Sequence, residues 1–454
     1  MEENFKEKEV PSEQAPANQT KSKNNLNRRQ FLLSSLGIGV ATAVGATIGV
    51  NPFTKPEEAL AEGTEKSIPL IVHDNMPIEI AKDYKRFNQK NTIFCRFGYD
   101  PEIMSIGKTF SEKFHGVVPP SGEPGFTETD AAVALAAWSV DHEFATNSEF
   151  GVPNQGLYAW EGPINQRKPG VKDAEDGTSK IKKAAKFLGA SLVGIADYDD
   201  RWVYSEFFNP FTGENSSPEF SFEPKHVIVM AIEMDYESFL TAPTLLESAA
   251  AGLAYSHMAE TAHKVATFIR QLGYQAIPCG NDTAISPALG VQAGLGELGR
   301  NGLLITPQYG PRVRLCKVFT DMPMNADKPI TFGVERFCET CMKCADSCPS
   351  KAISRDKKPS MQQGPSISNN PGVRKWAINP EKCFKFWSEN GGDCGSCIAS
   401  CPYNKLDVWH HELARTMAGT PAAPMLRSMD DLFGFGKVND TQEIKDWWKK
   451  DTKY

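Results

Sequence analysis

Apolar residues fall along the chain in distinct regimes. Residues 31–50 carry no charge and are diluted by Gly, Ala, Ser and Thr. Such a stretch is long enough to cross a bilayer but less greasy than a Leu-rich anchor. From about residue 171 the pattern alternates between helical spacing and short apolar runs. Residues 181–188 have helical spacing, with Gly189 as a stop signal. Residues 191–196, 226–232 and 274–279 read as strands, the second almost wholly apolar, as expected of a strand covered on both faces. A long helix is predicted over 245–272 with Tyr255 in its middle. Residues 62–170 have weak periodicity and many aromatics, and read as a wrapping region to which the pattern assigns no fold. Residues 354–380, rich in Pro, Gly, Ser and Asn, read as a surface loop packed over the sites that follow.

Composition changes this picture only in outline. With 454 residues, 23% charged and 40% hydrophobic, the chain is globular, and a disordered, collagenous or multispan protein is excluded. A formal net charge of -7 argues against nucleic acid as a partner, because phosphate contacts need a basic field. The polar first 26 residues cannot bury a core. They lead into Asn27-Arg28-Arg29-Gln30-Phe31, then the mild apolar stretch, then Ala59-Leu60-Ala61, a small-x-small cleavage pattern. That order is similar to a twin-arginine export signal, with an uncleaved membrane anchor as the alternative. Cleavage after Ala61 would start the mature chain at Glu62. Export in the folded state suits a protein that receives a metal cofactor before it leaves the cytoplasm.

The chain has 11 cysteines, eight of them between Cys338 and Cys401. Cys338, Cys341, Cys344 and Cys348-Pro349 make the C-x₂-C-x₂-C-x₃-C-P run of bacterial ferredoxins, in which the fourth cysteine ligates the other cluster. Cys383, Cys394, Cys397 and Cys401-Pro402 repeat it with a ten-residue first gap. Crossed ligation then assigns one [4Fe–4S] cluster to Cys338, Cys341, Cys344 and Cys401, and the other to Cys348, Cys383, Cys394 and Cys397. Zinc explains this order poorly, and disulfides fit two matched groups less well than cubanes. Cys95, Cys279 and Cys316 stand alone and read as buried packing. Gly294, Gly296 and Gly299 match a bare G-x-G-x-x-G, but no strand precedes them. They read as a close backbone approach to a flat, bulky cofactor or as a tight helix exit, not as a nicotinamide site.

Taken together, the leader, the segment 291–305 (Val-Gln-Ala-Gly-Leu-Gly-Glu-Leu-Gly-Arg-Asn-Gly-Leu-Leu-Ile), the double ferredoxin block and the ending Asp430-Asp-Leu-Phe-Gly-Phe-Gly436 resemble the respiratory reductive dehalogenases. The resemblance implies an α+β chain, with a nitroreductase-like α/β core holding a base-off corrinoid (cobalamin or norcobamide) and a ferredoxin-like domain with two [4Fe–4S] clusters. The expected order is leader 1–61, wrapping region 62–170, corrinoid-binding core 171–330, cluster domain 331–410 and C-terminal extension 411–454. The implied reaction replaces a carbon-bound halogen of an organohalide by hydrogen in anaerobic respiration. Tyr255 would give the proton, Arg314 would stabilise the tyrosinate, and Asn281 would donate to the halogen. Trp138, Phe144 and Trp387 match the aromatic pocket wall of alkene-reducing members, and Arg314 in place of lysine tilts the substrate toward small chlorinated or brominated aliphatics or alkenes. Further implied are a small integral membrane anchor protein, a membrane electron donor and a place on the outer face of the cytoplasmic membrane; a homodimer is left open. The rival readings are an epoxyqueuosine reductase-like enzyme and an exported electron-transfer protein.

Overall fold

The computed structural model describes residues 70–145, 156–405, 423–432 and 434–450. Contacts divide the chain into Met1–Lys66 and Ser67–Tyr454, and all that follows concerns the second unit. The twin-arginine leader and its cleavage site lie outside the described residues.

Four strands form the central sheet: β1 (Leu192–Asp197), β2 (His226–Glu233), β3 (Ala276–Cys279) and β4 (Val313–Thr320). They run in the order β1-β2-β4-β3, and every neighbouring pair is antiparallel. Strand β2 shows why its sequence is nearly all apolar. Its Ile228, Met230 and Ile232 face one core with Met258 and Ala262, while Val227, Val229 and Ala231 face another with Leu289 and Val291. A period of two thus feeds two cores, so both faces must be greasy.

Helices α1 (Pro101–Phe114) and α2 (Glu128–Val140) precede the sheet, α3 (Ala174–Phe187) leads into β1, α4 (Leu245–Gln271) lies between β2 and β3, and α5 (Ser286–Gln292) follows β3. Helix α4 is rich in alanine, which lets it press closely against the sheet and against α2. Helix α2 starts in a capping box of Thr127 and Asp130 and ends in a single π-helical turn, Asp141–Ala145. In the cysteine-bearing part, α6 (Val334–Cys341), α7 (Lys343–Ser347), α8 (Pro380–Asn390) and α9 (Ser396–Ala399) are short, and two further helices, α10 (Ala423–Leu432) and α11 (Thr441–Asp446), belong to the C-terminal extension. Among the described residues no helix is long and apolar enough to cross a membrane.

Two features differ from the sequence reading. Strand β4, which carries Arg314, was not anticipated, because Arg314 and Lys317 interrupt its apolar run. Residues 70–145 do more than wrap, since α1, α2 and the π turn form a wall of the site described next.

Candidate active site

Tyr255 sits in the middle of α4 and is buried. Its ring stacks on that of Trp138 from α2, with centroids 4.8 Å apart and planes inclined by 26°. Asn281 Nδ2 donates to the Tyr255 hydroxyl oxygen at 3.0 Å, and Arg314 Nη1 donates to it at 3.2 Å. The guanidinium carbon also lies 4.5 Å from the centre of the tyrosine ring. Adjacent strands make this meeting possible: Arg314 is the second residue of β4, and Asn281 lies two residues past the end of β3. The turn bearing Asn281 is held by Asp282, which accepts from the Gly280 N–H at 2.7 Å, and by buried Lys317 of β4, which donates to Gly280 O and to Ser286 Oγ. Two donors on one phenol oxygen favour the tyrosinate that proton donation leaves behind.

Tyr255 and Arg314 border a cavity of about 380 Å³ lined largely by aromatic rings, and Asn281 reaches the tyrosine hydroxyl from behind that lining. Trp138 and Trp387 form part of its wall. Phe144 does not: the π turn sends Asp141 and Ala145 inward and turns Phe144 out, leaving it 56% exposed. Sequence reasoning missed Phe94, Phe97, Phe110 and Phe114, which line the cavity from the aromatic-rich region before α2. Their density in that region was the available signal.

The polar part of the wall is electrostatically crowded. Arg314 Nη2 lies 3.8 Å from Asp393 Oδ2, and Asp141 lines the same cavity. Burial pushes the Asp393 carboxyl above its ordinary range, opposed by Arg314. Burial, reinforced by the Asp393 charge, holds Glu247 well above its own. Asp141 is pushed up to about 7 by burial, again opposed by Arg314.

The cysteines gather in the crossed sets. Cys338, Cys341, Cys344 and Cys401 surround one small cavity. Cys348, Cys383 and Cys397 pack around Ala345 and Ile353 with Cys344 of the first set alongside, and Cys394 is an electrostatic neighbour of Cys383 and Cys397. All eleven cysteines are free thiols, and burial raises Cys344, Cys383 and Cys394 to about 12. Buried and half-buried cysteines gathered in this way, without disulfides, are a donor set that fits iron–sulfur cubanes, which hold their ligands as thiolates. Cys394 follows cavity-lining Asp393, and Cys383 shares α8 with Trp387, so the second set is the one beside the cavity. Against the first set, Arg300 donates to Cys338 O and to Ser354 O and Asp356 O, pinning the 354–380 loop there. The glycines are explained by the chain itself. Gly294, at φ +71°, ends α5, a Cβ on Gly296 would meet Ile305 O at 2.0 Å, and Gly299 borders the first cysteine set. Cys95, Cys279 and Cys316 are buried packing residues.

Comparison with known proteins agrees with this arrangement. Residues 337–405 match the 4Fe-4S dicluster domain family. A tetrachloroethene reductive dehalogenase of Desulfitobacterium hafniense strain Y51 is 32% identical over 93% of this chain and 98% of its own. Those of Dehalobacter restrictus and Sulfurospirillum multivorans are each 32% identical, over 93% and 94% of this chain and 98% and 94% of their own. The solved catabolic reductive dehalogenase NpRdhA shares the fold at 24% identity and TM-score 0.63, over 84% of this chain and 50% of that one. An epoxyqueuosine reductase of Lactococcus garvieae is 31% identical over only 27% of this chain. The cysteine-bearing domain is that of an iron–sulfur oxidoreductase. The chain belongs to the reductive dehalogenases, which act on carbon–halogen bonds.

Proposed function

We propose that this protein is the catalytic subunit of anaerobic organohalide respiration, replacing a carbon-bound halogen by hydrogen in small chlorinated or brominated alkenes or aliphatics. The observation that carries the reading is the Tyr255 hydroxyl, held by Asn281 and Arg314 at the edge of an aromatic cavity beside the second cysteine set. Its cofactors are a corrinoid and two [4Fe–4S] clusters. A cavity lined by aromatic rings, where a proton donor and a cation meet beside the second cysteine set, fits a corrinoid reacting there. When bound, the corrinoid supplies the electron pair that breaks the carbon–halogen bond, and the clusters supply electrons singly.

The chain's own groups do the rest. Tyr255 donates the proton to the substrate carbon, and Arg314 and Asn281 hold the tyrosinate that results. The apolar part of the wall accepts a small halocarbon through dispersion and area burial. Its size and its arginine support a haloalkene or haloalkane, and the relatives named above are tetrachloroethene reductases. The twin-arginine leader supports a location on the outer face of the cytoplasmic membrane, with a small integral membrane anchor protein and a membrane electron donor as partners.

The test is a halocarbon panel assayed with reduced viologen, together with cyanide extraction of the purified protein. Halide release and dicyanocobamide bands are the expected results. Absence of those bands favours a simple electron carrier, and bands without halide release from any member of the panel overturn the dehalogenase reading. Tyr255→Phe should abolish turnover with corrinoid and iron content unchanged.

A further inference from the structure

Tyr255 must recover a proton after each turnover, and the cavity wall holds two buried carboxyls, Asp141 and Asp393, of which Asp141 lies on the turn bonded to the residue after Tyr255. Asp141 begins the π turn that continues α2, is 4% exposed, and lines the cavity shared with Tyr255 and Arg314. Its Oδ1 is buried without a hydrogen-bond partner among the described residues. Leaving a carboxyl oxygen unsatisfied is costly and needs a reason. Its backbone is pinned to the residue after Tyr255: Asp141 N–H donates to Ser256 Oγ at 3.3 Å, and Ser256 Oγ donates to Ala137 O at 2.6 Å. Trp138, one turn earlier, stacks on Tyr255 itself. The π turn therefore fixes this carboxyl against the wall that positions the tyrosine.

We propose that Asp141 is the proton-relay residue that reprotonates the Tyr255 tyrosinate, acting through Tyr255 and not on the substrate. This rests on the dehalogenase reading. In each turnover the substrate takes two electrons and the Tyr255 proton and loses halide. The Asp141 carboxylic acid then gives its proton to the tyrosinate through a water in the cavity. The Asp141 carboxylate recovers a proton from solvent by way of His142, next in the chain and stacked 5.2 Å from Trp138, with His115 at 5.7 Å from His142. The net uptake is one proton from solvent per halide released.

The groups facing Asp141 set its poise. Arg314 comes from β4, Tyr255 from α4, Tyr158 from the turn Gly156–Tyr158, Asp393 from beyond α8, His115 from the end of α1 and His142 from the π turn itself. Burial holds the carboxyl near neutrality, so it is an acid strong enough to protonate a tyrosinate yet protonated for part of the time at neutral pH.

The experiment compares wild-type, Asp141→Asn and Asp141→Glu holoenzymes. Halide release is followed in the first turnover and in steady state across pH, and carboxyl infrared bands are recorded on the same samples. The first turnover uses the proton already on Tyr255, so in Asp141→Asn it should stay near wild type while steady-state kcat falls about tenfold or more and loses its near-neutral pH limb. Asp141→Glu should restore part of both. The infrared arm should show a carboxylic C=O band that titrates near neutrality in wild type and is missing from Asp141→Asn. Unchanged steady-state kcat and pH profile, equal loss of first and later turnovers, or no such band would each overturn the relay. Absence of halide release from wild type would instead overturn the dehalogenase reading, and the relay with it.

Discussion

Arg314 works on both sides of its planar head: Nη1 meets the Tyr255 hydroxyl at 3.2 Å, while Nη2 lies 3.8 Å from Asp393. A lysine is a single point charge and cannot span both. Arg314→Lys should therefore lower kcat by roughly tenfold to a hundredfold, with a smaller change in KM, as steady-state kinetics on the holoenzyme will show. Asp141 makes a stability statement as well. Its carboxyl is raised from 3.8 to about 7, so the folded chain holds a proton that the unfolded chain has released. Stability from this group is fully present below the ordinary carboxyl range and is lost as pH rises toward 7. Asp141→Asn should thus raise Tm at and above neutral pH, with the gain vanishing near pH 4. Each pH unit between the ordinary and raised values corresponds to at most about 1.4 kcal/mol. Tyr255, Asn281 and Arg314 were legible only through the family resemblance of the segments that carry them, because a mid-helix tyrosine read alone is core and a lone arginine a surface charge. Asp141 and Asp393 were not, because an acidic residue in an undistinguished context becomes special only through the burial that the fold imposes.

At the scale of elements, the site depends on how closely α2 approaches α4. A Cβ on Gly252, one turn before Tyr255, would lie 2.2 Å from Trp138 Cδ1. A glycine inside a helix normally costs about 1 kcal/mol relative to alanine, but here it makes room for the indole that stacks on the tyrosine. Gly252→Ala should therefore reverse the usual helix preference, destabilising by about 1–3 kcal/mol through overpacking and impairing turnover. Thermal melts and kinetics on one preparation will show both effects. Helix α4 and strands β1, β2 and β3 were read close to their observed bounds, since long helical spacing and apolar runs are local signals. Strand β4 was not, because Arg314 and Lys317 break its run. Both charges are tolerated only because tertiary neighbours receive them: Tyr255 and Asp393 for one, Gly280 and Ser286 for the other.

Across the whole molecule, the crossed cysteines bind the two halves of the cluster domain to each other. Cys401 joins the set of Cys338, Cys341 and Cys344, and buried Arg312 ties the start of β4 to Asn404 at 2.9 Å, just past Cys401. Cys401→Ser should disturb the cluster away from the cavity and spare the one beside it. Iron content should fall from about eight toward four per chain, with one of two cluster signals lost in electron paramagnetic resonance. Loss of both signals together would contradict independent sets. For the leader, Arg28→Lys with Arg29→Lys should retain loaded enzyme in the cytoplasm, and cell fractionation will decide it.

The sequence by itself determined the chemistry that spacing encodes: two cysteine sets, a helix with a central tyrosine, apolar strands and an export-like leader. Those are properties of neighbours along the chain, where thiolate geometry and helical or strand periodicity act over a few residues. Only the tertiary structure decided which face of the π turn looks inward, so that Asp141 lines the cavity and Phe144 does not. It alone set the antiparallel order β1-β2-β4-β3 that delivers Arg314 and Asn281 to one hydroxyl. Burial and strand adjacency are set by long-range packing, and long-range packing leaves no local periodicity to read.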